Sequence, residues 1–158
     1  MNQSITNLEL GLWTAMQRCI DEIVRAANAD AALLKGSGME KNQIRNVLNV
    51  AEESHSLAVV TNFIRYQLGR SRTGPAWQHP RGGEAFGLRV IEQIESPGGV
   101  VARQAKAVQA QVGEIPAEKT ADIKYDLMRY YLGYLNRAFI YGKETQKWQD
   151  LGAAAKGD

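Results

Sequence analysis

Glu52 and His55 stand three residues apart, the Glu-x-x-His half-motif with which helical bundles hold di-iron centres. Such a centre needs a second copy and two further carboxylates. The only other histidine, His79, has Ala76 three residues before it, so the pair reads as a solvated helix face. His55 and His79 together would suit acid and base roles in RNA cleavage. His79, however, falls in a Gly/Pro-rich stretch, and nothing in the pattern brings it to His55. Cys19 lies one position before Ile20 and has no recognisable histidine partner; it reads as a packed or partly exposed small residue rather than a nucleophile. One cysteine and two histidines are too few for a structural zinc site, and no Gly-x-x-x-x-Gly-Lys-Ser/Thr phosphate loop occurs. The expectation is a protein with no catalytic residue, no metal and no cofactor.

The arginines need only a shared surface to act, because guanidinium supplies both charge and paired donors for phosphate. The formal net charge is +2, and it is unevenly spread. Residues 1–60 carry five basic against seven acidic groups, whereas residues 61–90 carry Arg65, Arg70, Arg72, Arg81 and Arg89 against Glu84 alone. The rest of the chain balances to zero. Arg65 and Arg72, seven apart, would share a helical face if helix continued that far, with Arg45 displaced along the same rod. Arg70, Arg72 and Arg81 flank Trp77, which would stack on a base or sugar edge. Near the C-terminus, Arg129 and Arg137 lie within about 80° of each other on a helix, with Lys143 and Lys147 on the same side. Asp122 and Asp126 on that strip favour the competing reading, a solvated face of mixed charge.

These groups must be positioned by helices. Ile5, Leu8, Leu12, Met16, Ile20, Ile23 and Ala27 recur at steps of three and four, one helical stripe that predicts helix over about 7–28. Lys35-Gly36-Ser37-Gly38 breaks it, and Ser37 with Glu40 has the form of a capping box. The second helix is expected to start near Met39 and to run to about 70, with an irregularity near Ser54 to Ser56. Residues 71–83, with two prolines and three glycines, read as a loop. Shorter helices are expected over about 84–95 and 100–112, and a long one over about 117–147, opened by Pro116. No segment alternates with period two. The fold class is therefore all-α, a bundle of about five helices with two long ones, 39–70 and 117–147. Residues 1–150 form one domain, and 151–158 are expected to fray.

One echo links the two long helices. Arg65-Tyr66-Gln67-Leu68-Gly69 and Arg129-Tyr130-Tyr131-Leu132-Gly133 share Arg-Tyr-x-Leu-Gly. A duplicated unit would put a glycine where long helices approach closely; the plainer alternative is that Gly69 ends its helix. The six aromatic residues from Tyr125 to Tyr141 encircle more of the last helix than one packed face requires. Exposed tyrosine there points to a protein partner. The unpaired cysteine, the absence of a long apolar run and the lack of a signal-peptide pattern at the start lead us to expect a cytoplasmic protein without a membrane partner.

The segment Glu40-Lys41-Asn42-Gln43-Ile44-Arg45-Asn46-Val47-Leu48, followed by Arg65-Tyr66-Gln67-Leu68-Gly69-Arg70, resembles the small helical subunit of type III CRISPR effector complexes. In that family a Gln-Ile-Arg helix start precedes a tyrosine, alanine, glycine and arginine signature. Tyr134-Leu135-Asn136-Arg137-Ala138-Phe139 resembles, more faintly, the closing helix of the second type III small-subunit family. The chain departs from the alanine-rich version at Arg65 to Leu68, and the 71–83 loop has no counterpart. The resemblance covers about residues 40–70. It implies an all-helical, non-catalytic subunit that packs beside other subunits of a ribonucleoprotein and lines the path of guide and target RNA. By matched position it assigns that role to Arg45 and Arg70. Arg65, Arg72, Arg81, Arg89, Arg129, Arg137 and Trp77 rest on charge and type alone. The alternative is a helical adaptor or oligomerisation module without nucleic-acid binding.

Overall fold

The apolar stripe of the first segment is longer than its spacing predicts, because helix α1 spans Asn2–Ala32. Leu12, Ala15, Met16, Cys19, Ile23, Ala27 and Ala31 are buried along it. The computed structural model describes residues 2–155, with side chains from 7 to 152. Among these residues there are eight helical segments, one of them a single turn, and no strand. The all-α bundle stands, with more elements than the five expected. No described helix is long and apolar enough to cross a membrane.

Gly36 and Gly38 both take φ of +74°, the left-handed region that only glycine enters freely, and they turn the chain out of α1. The box that starts the next helix is not the one expected. Ser37 Oγ accepts only from the Met39 N–H at 3.1 Å, whereas Glu40 and Gln43 cap each other reciprocally, Glu40 N–H donating to Gln43 Oε1 at 3.0 Å. Helix α2 is Lys41–Ser54.

The expected 39–70 helix is broken in two. His55 takes a left-handed conformation, φ 52°, and Ser56 caps a new helix α3, Leu57–Gly69, accepting from the Val59 N–H at 3.3 Å. Ser-His-Ser supplies a cap at a point where neither glycine nor proline announces a stop. The His55 ring stacks on Tyr125 at 4.7 Å.

After α3 the chain folds back on itself. Thr73 Oγ1 donates to Gln67 O at 2.8 Å, and Gln78 Nε2 donates to Leu68 O at 2.8 Å, so side chains satisfy the carbonyls left open at the helix end. The expected loop contains a helical turn α4, Gly74–Trp77, opened by Pro75. Helix α5 is Phe86–Glu95, α6 is Val100–Val112 and α7 is Ala117–Thr145. Gln146, φ 59°, ends α7, and α8 covers Trp148–Ala155.

That last helix reaches into the stretch expected to fray, as far as Ala155. Trp148 and Leu151 are buried, 5% and 6% exposed. Trp148 lies on α7 where Gly142 makes room: a Cβ there would come within 2.3 Å of the indole ring. Residues 156–158 lie outside the described residues.

At the centre α1 packs on α6, α7 and α8, and a polar knot joins four helices. Asp30, 2% exposed, accepts from Tyr131 Oη at 2.6 Å, Gln93 Nε2 at 2.9 Å and Arg89 Nε at 3.1 Å. Gln93 Oε1 accepts in turn from the Val100 N–H at 2.9 Å. Burial raises the carboxyl of Asp30 above its ordinary range, against the lowering effect of Tyr131, Gln93 and Arg89, and it raises the Tyr131 phenol well above its own.

Candidate nucleic-acid interface

The five arginines of residues 61–90 do not form one groove. Arg65, on α3, donates from both terminal nitrogens to Glu95 of α5, at 3.2 and 2.8 Å. Arg89 holds Asp30 and lies within 3.9 Å of Glu84 and 3.5 Å of Glu92. Both guanidinium groups are engaged by carboxylates, one at the α3–α5 side and one at the centre. Arg81 is exposed on the segment between α4 and α5.

Trp77 is no stacking platform. It is 1% exposed and packs on Phe86, with ring centroids 5.4 Å apart. The proline-led turn drives it inward. Its burial is large enough, for an aromatic of its area, to fix the loop against the core.

What the fold does bring together lies on either side of α2. Helices α2 and α7 run antiparallel, since Lys41 pairs with Glu144 at one end while His55 stacks on Tyr125 at the other. Tyr125 Oη also donates to Ala51 O at 2.9 Å. On one flank of α2, Asn42, Gln43 and Asn46 line a polar cavity of about 270 Å³ shared with Gln67, Arg70 and Arg72. On the other flank, a second cavity of about 270 Å³ is lined by Glu52 of α2 and by Arg129, Tyr130, Gly133, Asn136 and Arg137 of α7.

Arg45 stands between them. At about 100° per residue, Ile44, Val47 and Ala51 point to the core, and Arg45 falls about 125° away from them, on the side of Glu52. It is exposed, as are Asn42, Asn46 and Asn49. The two cavities flank α2 and carry Arg70 and Arg72 on one side and Arg137 and Arg129 on the other, with Arg45 exposed on α2 itself.

These five are held differently. Arg70 lies over the Tyr66 ring at 5.2 Å, Arg129 over Tyr125 at 5.6 Å and Arg137 over Tyr134 at 5.6 Å. Cation–π contact steers a guanidinium while leaving its N–H donors free. Arg129 reaches Asp126 only at 4.0 Å, between exposed side chains. Arg45, Arg70, Arg72 and Arg137 take part in no ion pair among the described residues. The rest of the expected C-terminal strip disperses: Lys143 Nζ donates to Met39 O at 2.7 Å, and Lys147 lies beyond the end of α7.

Neither glycine of the internal echo sits at a close helix approach. A Cβ at Gly69 or Gly133 would meet nothing within 4 Å; Gly69 ends its helix, the plainer of the two alternatives. Cys19 is buried, 3% exposed, and burial raises its thiol, which disfavours the nucleophilic thiolate. Among the described residues no cluster of three or more His, Cys, Asp or Glu side chains is arranged to hold a metal ion.

Charge and spacing do not single out the amide side chains. Asn42 and Asn46 fall four apart beside Arg45 on the polar face of α2, and Gln67 falls three after Ile64 on the buried face of α3. A polar residue on an apolar stripe is the signal that marks Gln67.

Fold and surface together define a class: an all-α bundle with arginines lining a cavity on either flank of α2. Below the level of class, comparison adds no relative, since no family model, no curated protein and no solved structure matches this chain.

Proposed function

We propose that the chain is a non-catalytic, RNA-backbone-binding small subunit of a type III CRISPR ribonucleoprotein effector complex, bridging neighbouring subunits. The observation that carries the reading is the position of Arg45 and Arg70, the two basic residues matched to that family. Arg45 is exposed on α2, Arg70 and Arg72 line a cavity on the flank of that helix, and none of the three is paired with a carboxylate among the described residues. Arg70 and Arg72 share a cavity otherwise lined by Asn, Gln and Thr side chains, with Glu40 the sole acid, and Glu40 is turned into its own helix cap. Free guanidinium groups beside amide donors suit phosphate oxygens and read no sequence.

Filter binding to single-stranded RNA tests this. Affinity should fall steeply with salt. Arg70→Glu with Arg72→Glu should lower the slope of log K against log salt by roughly 1.4, about 0.7 for each phosphate that is no longer neutralised. Absence of RNA affinity both for the chain alone and within its complex sinks the proposal.

One observation favours the adaptor reading instead. Leu10 and Trp13, one turn apart on α1, are 62% and 60% exposed, as at a protein interface. If the Arg70 and Arg72 reversals abolish assembly and leave RNA affinity intact, the arginines serve a protein partner.

A further inference from the structure

Midway along α7, Gly133 interrupts a 29-residue helix for no reason found in the packing. Glycine is the poorest helix former after proline. At Gly142 on the same helix the exception is explained by Trp148, whereas above Gly133 there is open space. That space belongs to the cavity between α2 and α7, with an arginine on either side of it: Arg129 and Arg137 stand about 12 Å apart along the helix axis.

The walls between those arginines are chemically mixed. Tyr130 contributes its half-buried ring and Glu52 an exposed carboxylate. Asn136 contributes an amide whose Oδ1, shielded from water, accepts no hydrogen bond, an unpaired acceptor of the kind that folded proteins seldom leave. At about 270 Å³ the cavity is smaller than the roughly 300–1,000 Å³ of a drug-sized site, and it suits one planar ring.

We propose that this groove takes a single unstacked nucleobase of single-stranded RNA, with its neighbouring phosphates on Arg129 and Arg137. The inference rests on the RNA-binding reading above and adds a base site to what is otherwise a backbone interaction. An aromatic wall and an amide that both donates and accepts are the means by which proteins hold splayed-out bases. Glu52 accepts from an exocyclic amine, so adenine or cytosine is held better than uracil, which has none. Arg129 and Arg137 outnumber the one carboxylate of the lining, and Asp126 stands outside it.

The full chain, titrated into a single-stranded RNA carrying one 2-aminopurine, decides the matter. In the wild type, binding quenches the fluorophore as it stacks in the groove. Gly133→Leu fills the open space, and its thermal midpoint is no lower because leucine is the better helix former. Its RNA binding should be weaker by about five- to hundredfold, the worth of one base on an aromatic wall, with the quench lost. Arg137→Glu, at an exposed position, reaches the same loss by a second route. If Gly133→Leu and Arg137→Glu both keep affinity and quench while Arg70→Glu loses affinity, the base site is wrong and the RNA-binding reading stands. If the wild type binds no RNA either alone or within its complex, both fall. Equal quenching of 2-aminopurine ribonucleoside monophosphate at the strand's concentration overturns the strand as the occupant.

Discussion

Asp30→Ala should cost the fold about 2–4 kcal/mol at neutral pH. The substitution orphans the phenol of Tyr131 and the amide of Gln93, both buried, and each unsatisfied buried donor costs about 1–3 kcal/mol. Arg89, a third exposed, falls back on water, Glu84 and Glu92, so its loss adds little. Part of the total is offset, because the carboxylate itself is strained by burial, as its raised pKa records. The sign of the pH dependence follows from that direction. An acid whose pKa is higher in the folded state contributes most below its unfolded pKa and loses that contribution as pH rises through the folded value. The gap between wild type and Asp30→Ala should therefore narrow from acid toward neutral pH. Urea unfolding followed by circular dichroism, extrapolated linearly to water, measures it at each pH. Tyr131→Phe, which removes one donor and leaves the others on the carboxylate, should cost less than Asp30→Ala, and the double variant should fall short of the sum. A cost under about 1 kcal/mol would refute the view of this knot as a structural centre, and a gap that widens as pH rises would refute the upward shift of the Asp30 carboxyl.

Two glycines on one helix should respond to alanine with opposite signs. Gly142→Ala forces a Cβ against the Trp148 ring and should destabilise by about 1–3 kcal/mol, whereas Gly133→Ala meets nothing and should stabilise by about 1 kcal/mol; thermal melts of the two variants compare them directly. Trp77→Ala should cost about 3–5 kcal/mol as a core truncation while leaving the RNA affinity of the folded fraction unchanged, since the indole is buried away from the surface. A selective loss of affinity in that variant, at temperatures where it is fully folded, would return Trp77 to the interface.

Helical class and most boundaries are legible because they rest on apolar period and on strong punctuation. Val100–Val112 is bounded by glycine on both sides and can be read to the residue, and α7 begins where Pro116 places it. The break at His55 falls where an irregularity is legible at Ser54 to Ser56, but that it divides the helix in two is not, because a serine cap leaves the apolar period running through it. Trp77 misleads for a related reason. A Pro/Gly-rich segment looks exposed, yet here it holds a helical turn, Gly74–Trp77, that packs its last residue on Phe86. The charge block at 61–90 is visible as composition, but composition cannot show which arginines already have partners. Asp30 carries a signal of its own: it falls seven after Ile23 and three after Ala27, on the apolar stripe of α1, where a charge must be buried with partners or the helix must turn.

The seating of Trp148 on Gly142 also sets the timing of folding. Helix α8 covers part of α1, so the first and last helices touch, and Trp148 follows Ala32 by 116 residues. At about 5–20 residues per second of synthesis, α1 leaves the ribosome roughly 6–23 s before the residues that close over it. During that interval Leu34, which shares a cavity with Trp148, lies open on a growing chain, available to a chaperone or to a neighbouring nascent copy.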